Sequence, residues 1–315
     1  MFLGIEIGGT KLQLGVGRGD GSSFVGFARR DIDRTRGAAG ILEQIREAGR
    51  ELIAAHEIER VGFGFGGPVF GDRGIVQTSH QVSGWDQFPL AAWCQRELER
   101  PAFLGNDCDS AGLAEACFGA GRGLKTVMYV TVGTGIGGGL VIDRRIHGTD
   151  RPAAAEIGHL RPGLDCHDSH DTVESRAAGP GIEHAAREWL LQHPGTTDAR
   201  DLLDRCGGDP QALTTRIIST AATAGNASAR RLYHEAVNVL GWAIAQTGTL
   251  LAPDVVVVGG GVSLAGQDLF FGPLRAAVDR YVFPPLRGSF QVVPAGLGES
   301  VVVHGALALA ATSKK

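Results

Sequence analysis

The same short design occurs twice in this chain. In "LGIEIGGTKLQLGVG" (residues 3–17), two runs of alternating apolar residues flank a Gly8-Gly9-Thr10 turn. The runs carry Ile5 and Ile7, then Leu12, Leu14 and Val16. In "TVMYVTVGTGIGGGLVIDRRI" (126–146), a strand pattern, Gly133-Thr134-Gly135, more glycines and a second strand pattern recur in that order. A period of two predicts strands, and a glycine turn between them predicts a hairpin. A P-loop would need GxxxxGK[ST] opening a helix, and a dinucleotide fingerprint would need a helix after GxGxxG. Here a strand follows each turn, so neither design applies. A third design fits both: a hairpin turn whose exposed backbone N–H groups and threonine hydroxyl meet phosphate oxygens. An ordinary β-turn that uses glycine only for its positive φ accounts for one such hairpin. A matched pair, with a third glycine-rich strand end at 259–261, favours one polyphosphate gripped by a hairpin from each of two lobes.

The bulk properties agree with two lobes. A chain of 315 residues exceeds one ordinary core. Glycine is the outlier, with 48 residues, about twice the usual share. No collagen-like period appears, and the glycines cluster at expected strand ends, where tight turns and close ligand approach need them. The net charge of −4 gives no sign of a nucleic-acid-binding surface. Five scattered cysteines (Cys94, Cys108, Cys117, Cys166, Cys206) argue against a disulfide framework and for a reducing compartment. "MFLGIEIGG" lacks the basic and apolar regions of a signal peptide, and "GALALAA" (305–311) is too short to span a bilayer. A cytoplasmic protein is expected.

Between the hairpins, apolar residues at three-to-four spacing predict a helix over about 37–56. "RVGFGFGGPV" reads as a buried strand with a Gly-Gly-Pro turn, "PLAAWCQREL" as a helix, and "RPAFLGND" as a strand running into Asn106-Asp107. A helix follows in "SAGLAEACFGAG". A loop rich in Gly, Asp and His spans about 147–173, and three helical patterns fill about 178–250. "DVVVV" (254–258) is a buried strand, and the tail holds another strand and an Ala/Leu helix. The expected hinge lies near 107: a small lobe of residues 1–107 plus 300–315, and a large lobe of 108–299.

The order and spacing of several motifs carry a resemblance over nearly the whole chain. They are "IEIGGTK", "GFGFGGPV", Gly84-Trp85, "GNDCDSAGLAE", "VTVGTGIGGGLV", "AAEIGH", "ESRAAGPGIE", "PDVVVVGGGVS" and the late "GAL". Together they resemble the ROK family (repressor, open reading frame, kinase) of the actin-like/hexokinase ATPase superfamily. The resemblance implies an α/β fold of two ribonuclease-H-like lobes around a cleft, each a mixed sheet flanked by helices. It implies ATP-dependent phosphorylation of a hexose, with Mg²⁺, and a homodimer.

By residue type alone, Asp107 is a helix N-cap. The resemblance makes it the catalytic base, beside Asn106 as a sugar-hydroxyl partner. Phosphoryl transfer needs such a positioned carboxylate more than covalent help. Glu156 and His159 in "EIGH" could be a surface pair, and Glu174 a first-turn acid. The resemblance makes all three contacts to sugar hydroxyls, and Gly67 a backbone contact. "SHQVSGW" (79–85), with His80, is expected to border the sugar. Glu6 stands where the family usually has an Asp that helps hold Mg²⁺; taken alone, it reads as a strand residue facing solvent. Gly9, Thr10 and Lys11, with Gly133, Thr134 and Gly135, are the phosphate-side residues, although Lys11 also reads as an exposed hairpin charge. Gly259 and Gly260 fit an adenosine-side turn. Ala155 stands where the family usually has Gly.

ROK proteins commonly hold a structural zinc just after EIGH. Here the segment is "GHLRPGLDCHDSHDTVES", with Thr172 and Val173 where a final cysteine is expected. His159, Cys166, His167 and His170 remain as four zinc-ligand candidates. The alternative is a polar loop that has lost its zinc and is shaped by hydrogen bonds. The leading functional expectation is glucokinase. Kinases of fructose, N-acetylmannosamine or N-acetylglucosamine share the scaffold, and a non-catalytic sugar sensor is the alternative of another class. A repressor would need a helix-turn-helix domain before the first strand, and none is expected.

Overall fold

The computed structural model describes residues 1–79 and 81–312. The first sheet contains β1 (Phe2–Ile7), β2 (Lys11–Gly17), β3 (Gly26–Asp31), β4 (Arg60–Phe65) and, after the small ribbon β5 (Val69–Phe70) with β6 (Ile75–Val76), β7 (Ala102–Asn106). Its order is β3-β2-β1-β4-β7. The first glycine turn joins β1 and β2 as an antiparallel hairpin with Ile7 opposite Leu12, closed by Gly8 N–H donating to Lys11 O at 3.0 Å. β4 and β7 add in parallel. The second sheet contains β8 (Thr126–Val132), β9 (Ile136–Ile142), β10 (Arg145–Ile146), β11 (Val255–Gly259) and β12 (Gln291–Pro294), in the order β10-β9-β8-β11-β12. The two orders repeat one topology: a meander of three strands, then two further strands added beside its first.

The helices are α1 (Gly37–Ala55), α2 (Leu90–Glu97), α3 (Asp107–Phe118), α4 (Val173–Ala177), α5 (Gly179–Gln192), α6 (Thr197–Arg205), α7 (Thr215–Thr223), α8 (Ala227–Leu251), α9 (Gly272–Tyr281) and α10 (Val301–Thr312). The segment expected to hold three helices holds four, α5 to α8. Gly195, at φ +79°, breaks the chain after α5, and Thr196 restarts it by accepting from Ala199 N–H. Among the described residues no helix is long and apolar enough to cross a membrane.

By compactness the chain forms two units. The first takes Met1–Tyr129, Gly139–Ala155 and the chain from Ala295 onward; the second takes Val130–Gly138 and Glu156–Pro294. Against the expected 1–107 plus 300–315 and 108–299, the first unit also takes 108–129 with α3, 139–155 and 295–299. Its fully buried Glu115 accepts from Gly296 N–H and Leu297 N–H through Oε1, both at 2.9 Å, and from Ala120 N–H through Oε2. The core of the first unit includes Leu3, Ile5, Ile7, Ile41, Ile45, Val61, Phe63 and Phe65, all essentially inaccessible to solvent. α10 covers the other sheet face at backbone distance: a side chain at Gly62 would collide with the Ala306 carbonyl.

Candidate active site

Register assembles one group of the expected residues within the first unit. Ile7 pairs beside Phe65, and Phe65 beside Asn106. The residues that leave these three parallel strands, Gly8, Gly66 and Asp107, therefore emerge along one sheet edge. That is where open α/β sheets place ligands. A methyl group on Gly66 would lie 3.5 Å from Asp107 Oδ2 and 3.6 Å from Gly8 Cα. The expected base and the expected phosphate turn are thus brought together.

Asn106, not Asp107, caps α3. Its Oδ1 accepts from Cys108 N–H at 2.8 Å and Asp109 N–H at 3.4 Å. Its Nδ2 donates to Gly67 O at 3.0 Å and, more weakly, to Phe65 O at 3.4 Å. One amide therefore fixes the helix start and the Gly67 segment together. Asp107 becomes the first helical residue, and its Oδ1 accepts from Cys108 N–H at 2.8 Å. Oδ2 is the oxygen on the side of Gly66 and Gly8. Burial pushes the Asp107 carboxyl above the usual carboxylate range, although backbone hydrogen bonds oppose the shift.

Glu6 does not face solvent. β1 is a central strand covered on both faces, so Glu6 is buried. Its Oε1 lies 3.2 Å from Lys11 Nζ, while Oε2 is buried without a hydrogen-bond partner. Burial raises its pKa; Lys11 opposes this, and the Asp107 charge adds to it. Lys11 is accordingly tied to Glu6 and Gln13 (3.4 Å). Gly9 and Thr10 form the turn tip, with Thr10 exposed. Glu6 Oε2, an orphaned hard oxygen beside a second carboxylate, suits Mg²⁺, which takes one or two carboxylates plus substrate phosphates.

In the second unit, the Gly133–Gly135 turn is anchored from two sides. Gly133 O accepts from Gly179 N–H at the start of α5 (2.8 Å), and Glu174 Oε2 accepts from Ile136 N–H (2.7 Å). Thr134 sits exposed at the tip. Beside the turn lies a cavity of about 790 Å³, lined by Gly133, Thr134, Glu183, Thr215, Tyr233, Val262 and their neighbours. This is within the size range of small-ligand pockets. Glu183 Oε1 accepts from Thr215 N–H at 2.8 Å, and Thr215 Oγ1 donates to Gly179 O at 3.0 Å, so one wall is a rigid network. Tyr233 OH donates to Val262 O at 2.6 Å. Sequence reasoning missed Glu183, Thr215 and Tyr233. The "GPG" helix start at 179–181 was the available signal. Gly259 ends β11, and Gly260 turns at φ +89° against the Val132 backbone, where any side chain would collide. Glu156 precedes a short 3-10 turn (Ile157–His159), and His159 is exposed. His80 lies outside the described residues.

The four zinc-ligand candidates, His159, Cys166, His167 and His170, are not gathered into one group. Among the described residues no three His, Cys, Asp or Glu side chains come together as a metal site. His159, His167 and His170 are exposed, whereas Cys166 is buried. Cys166 Sγ instead takes an Arg176 N–H at 3.5 Å, and Arg176 pairs with Asp171 at 2.7 Å. Burial and the Asp171 carboxylate push the Cys166 thiol up, away from the thiolate a metal needs. Hydrogen bonds and this ion pair shape the loop.

Residues 2–313 match the ROK family. The chain is 31 % identical over 315 residues to a glucokinase of Streptomyces coelicolor, covering 98 % of this chain and 97 % of that one. It is 29 % identical over 313 residues to a glucokinase of Thermotoga maritima, covering 98 % and 96 %. Among solved structures, a ROK family glucokinase from Streptomyces griseus, in complex with glucose and AMPPNP, matches with a TM-score of 0.81 at 30 % identity, covering 99 % of each chain. The two repeated sheets, the carboxylate at the aligned strand ends and these full-length likenesses lead to one conclusion: the chain belongs to the ROK family, among its sugar kinases.

Proposed function

We propose that this kinase transfers the γ-phosphoryl group of ATP to the 6-hydroxyl of glucose. The observation that carries the reading is Asp107 Oδ2 standing beside Gly66 and the Gly8 turn. A carboxylate there can orient a sugar hydroxyl and take its proton while the turn's N–H groups meet phosphate oxygens. Its raised pKa suits a base, because an ionised carboxylate that is poorly solvated accepts a proton readily.

The residues divide the work. The 6-oxygen attacks the γ-phosphorus, the bond to the leaving ADP oxygen breaks, and the proton passes to Asp107 Oδ2. Asn106 holds Asp107 and the Gly67 carbonyl in register. Glu156, His159 and Glu174 contact sugar hydroxyls; Glu174 uses Oε1, since Oε2 serves the turn. Gly9, Thr10, Gly133, Thr134 and Gly135 receive phosphate oxygens. The cavity beside Gly133, together with Gly259 and Gly260, holds the nucleoside. Glu6 would hold Mg²⁺, which when bound neutralises charge on the phosphoryl oxygens.

The test is turnover with Mg²⁺-ATP on glucose, fructose, mannose, N-acetylglucosamine and N-acetylmannosamine. Highest kcat/KM on glucose supports the reading. Highest kcat/KM on another sugar corrects the substrate and leaves the phosphoryl transfer standing. Sugar binding without turnover across the panel overturns the reading in favour of a sensor.

A further inference from the structure

We propose that Arg34 is a catalytic residue of the transfer, placing an uncompensated cation against the γ-phosphoryl group at the first glycine turn. The inference rests on the kinase reading above. Lys11 is the cation nearest the turn in sequence. It is neutralised by Glu6 at 3.2 Å. The turn is not left without positive charge, because Arg34 reaches it from just beyond β3, at the end where Asp31 pairs with Lys11.

Arg34 opens a short 3-10 turn, Arg34–Arg36. Asp33 caps that turn, its Oδ1 accepting from Thr35 N–H at 2.9 Å and Thr35 Oγ1 at 2.6 Å. The cap fixes where the Arg34 side chain departs. Its Nε then donates to Gly9 O at 2.7 Å. A methyl group on Gly9 would stand 3.2 Å from Arg34 Nη2 and would collide with Gln81 Oε1. The space over Gly9 is therefore filled by the far ends of two side chains, a cation and a neutral amide. Among the described residues no ion pair engages Arg34, so its terminal nitrogens keep their charge for an incoming anion. A methyl group on Gly66 would lie near both Gly8 Cα (3.6 Å) and Asp107 Oδ2 (3.5 Å), so the expected base is beside the same turn.

The chemistry gives such a cation work to do. Phosphoryl transfer spreads charge over three equatorial oxygens, and an arginine on them contributes about 10³–10⁵ in kcat in GTPases. As the sugar oxygen bonds to phosphorus and the electron pair moves to the ADP oxygen, Asp107 gains the proton. Arg34 changes no bond and stabilises the charge. Holding Gly9 O through Nε leaves the rest of the planar fork to face the phosphoryl oxygens.

The experiment compares wild type, Arg34→Ala and Arg34→Lys with Mg²⁺-ATP and the preferred sugar. Arg34→Ala is expected to lose about 10²–10³ in kcat, with the KM for ATP held within about threefold. Arg34→Lys is expected to stay at least about tenfold below wild type, because a point charge cannot reproduce the fork. Added guanidinium chloride is expected to restore part of the Arg34→Ala rate, which a purely structural clip of Gly9 would not allow. Arg34→Ala turnover near wild type, or a loss that guanidinium does not rescue and that follows a fall in Tm, overturns the proposal while leaving the kinase reading intact. A wild-type protein inert on every sugar overturns both.

Discussion

At the scale of single residues, Asp107 combines two opposed demands. Burial raises its pKa, so its ionised form is costly in the folded chain. In its proposed role as base it must be ionised to work, and it would then destabilise the fold that holds it. Asp107→Asn keeps the shape and removes the charge. We expect turnover to fall by about 10²–10⁴, read as kcat on the preferred sugar. The same substitution should raise Tm at pH 7. The sign follows from linkage: a carboxyl raised on folding binds more protons folded than unfolded, so it costs stability as pH rises through its folded pKa. The Tm advantage of Asp107→Asn should disappear below the unfolded carboxyl range, about pH 3.9. The acid limb of kcat/KM should also sit above that range. Ala155 shows a second residue-scale tension, a non-glycine residue at φ +62°. Ala155→Gly should stabilise the protein by about 1 kcal/mol in urea titrations, because the left-handed region costs alanine roughly that much. The place of Asp107 between a strand and a helix was legible in the sequence. Glu6 taken alone was not, because period-two reasoning cannot say that a strand has both faces covered.

At the scale of elements, the glycines divide into two groups that look alike in sequence. Those at Gly8-Gly9 and Gly133–Gly135 end strands at turns, and the turn reading found them. Others lie inside strands and helices and serve packing. Gly62 lets the backbone of α10 rest on β4, and Gly305 lets α10 rest on α3, where a side chain would collide with the Ser110 carbonyl. Nothing local marks this use, since the partner is more than 190 residues away in sequence for both contacts. Gly62→Ala should destabilise the first unit by about 1–3 kcal/mol or more, since the opposing atom is backbone and cannot swing aside. Chemical denaturation reads this directly, and Gly261→Ala is the control, an exposed glycine outside the positive-φ region with nothing within 4 Å of its site. The four helices of 179–251 were half legible. Their capping residues, Thr196, Thr214 and Asn226, each accept a backbone N–H from the first turn. These caps punctuate the segment more clearly than apolar spacing does, because α6 is short and mostly polar.

At the scale of the whole molecule, the repeated hairpin reflects a repeated sheet. β3-β2-β1-β4-β7 and β10-β9-β8-β11-β12 share one connectivity. A glycine turn joins the first two strands in each. The motif that occurs twice therefore marks a topology that occurs twice. The cavity beside Gly133, where we propose the nucleoside binds, was not legible in this way. Its walls come from α5, α7, α8 and the turn after β11, segments separated by tens of residues that only packing brings together. This distribution makes a prediction that no single-residue change tests as well. AMPPNP with Mg²⁺, added without sugar, should slow amide exchange at 133–136, 179–183, 214–216 and 260–263 together. Those segments share the hydrogen bonds from Gly179 to Gly133 and from Thr215 to Glu183 and Gly179. A ligand that fills the cavity suppresses their opening as a group, and at 100 times its Kd it adds about 2.7 kcal/mol to the stability of the bound state. Sugar alone should instead protect 66–67, 106–108 and 156–160. Nucleotide protection confined to the β1–β2 turn, with no change around Thr215 and Tyr233, would remove the nucleoside from this cavity.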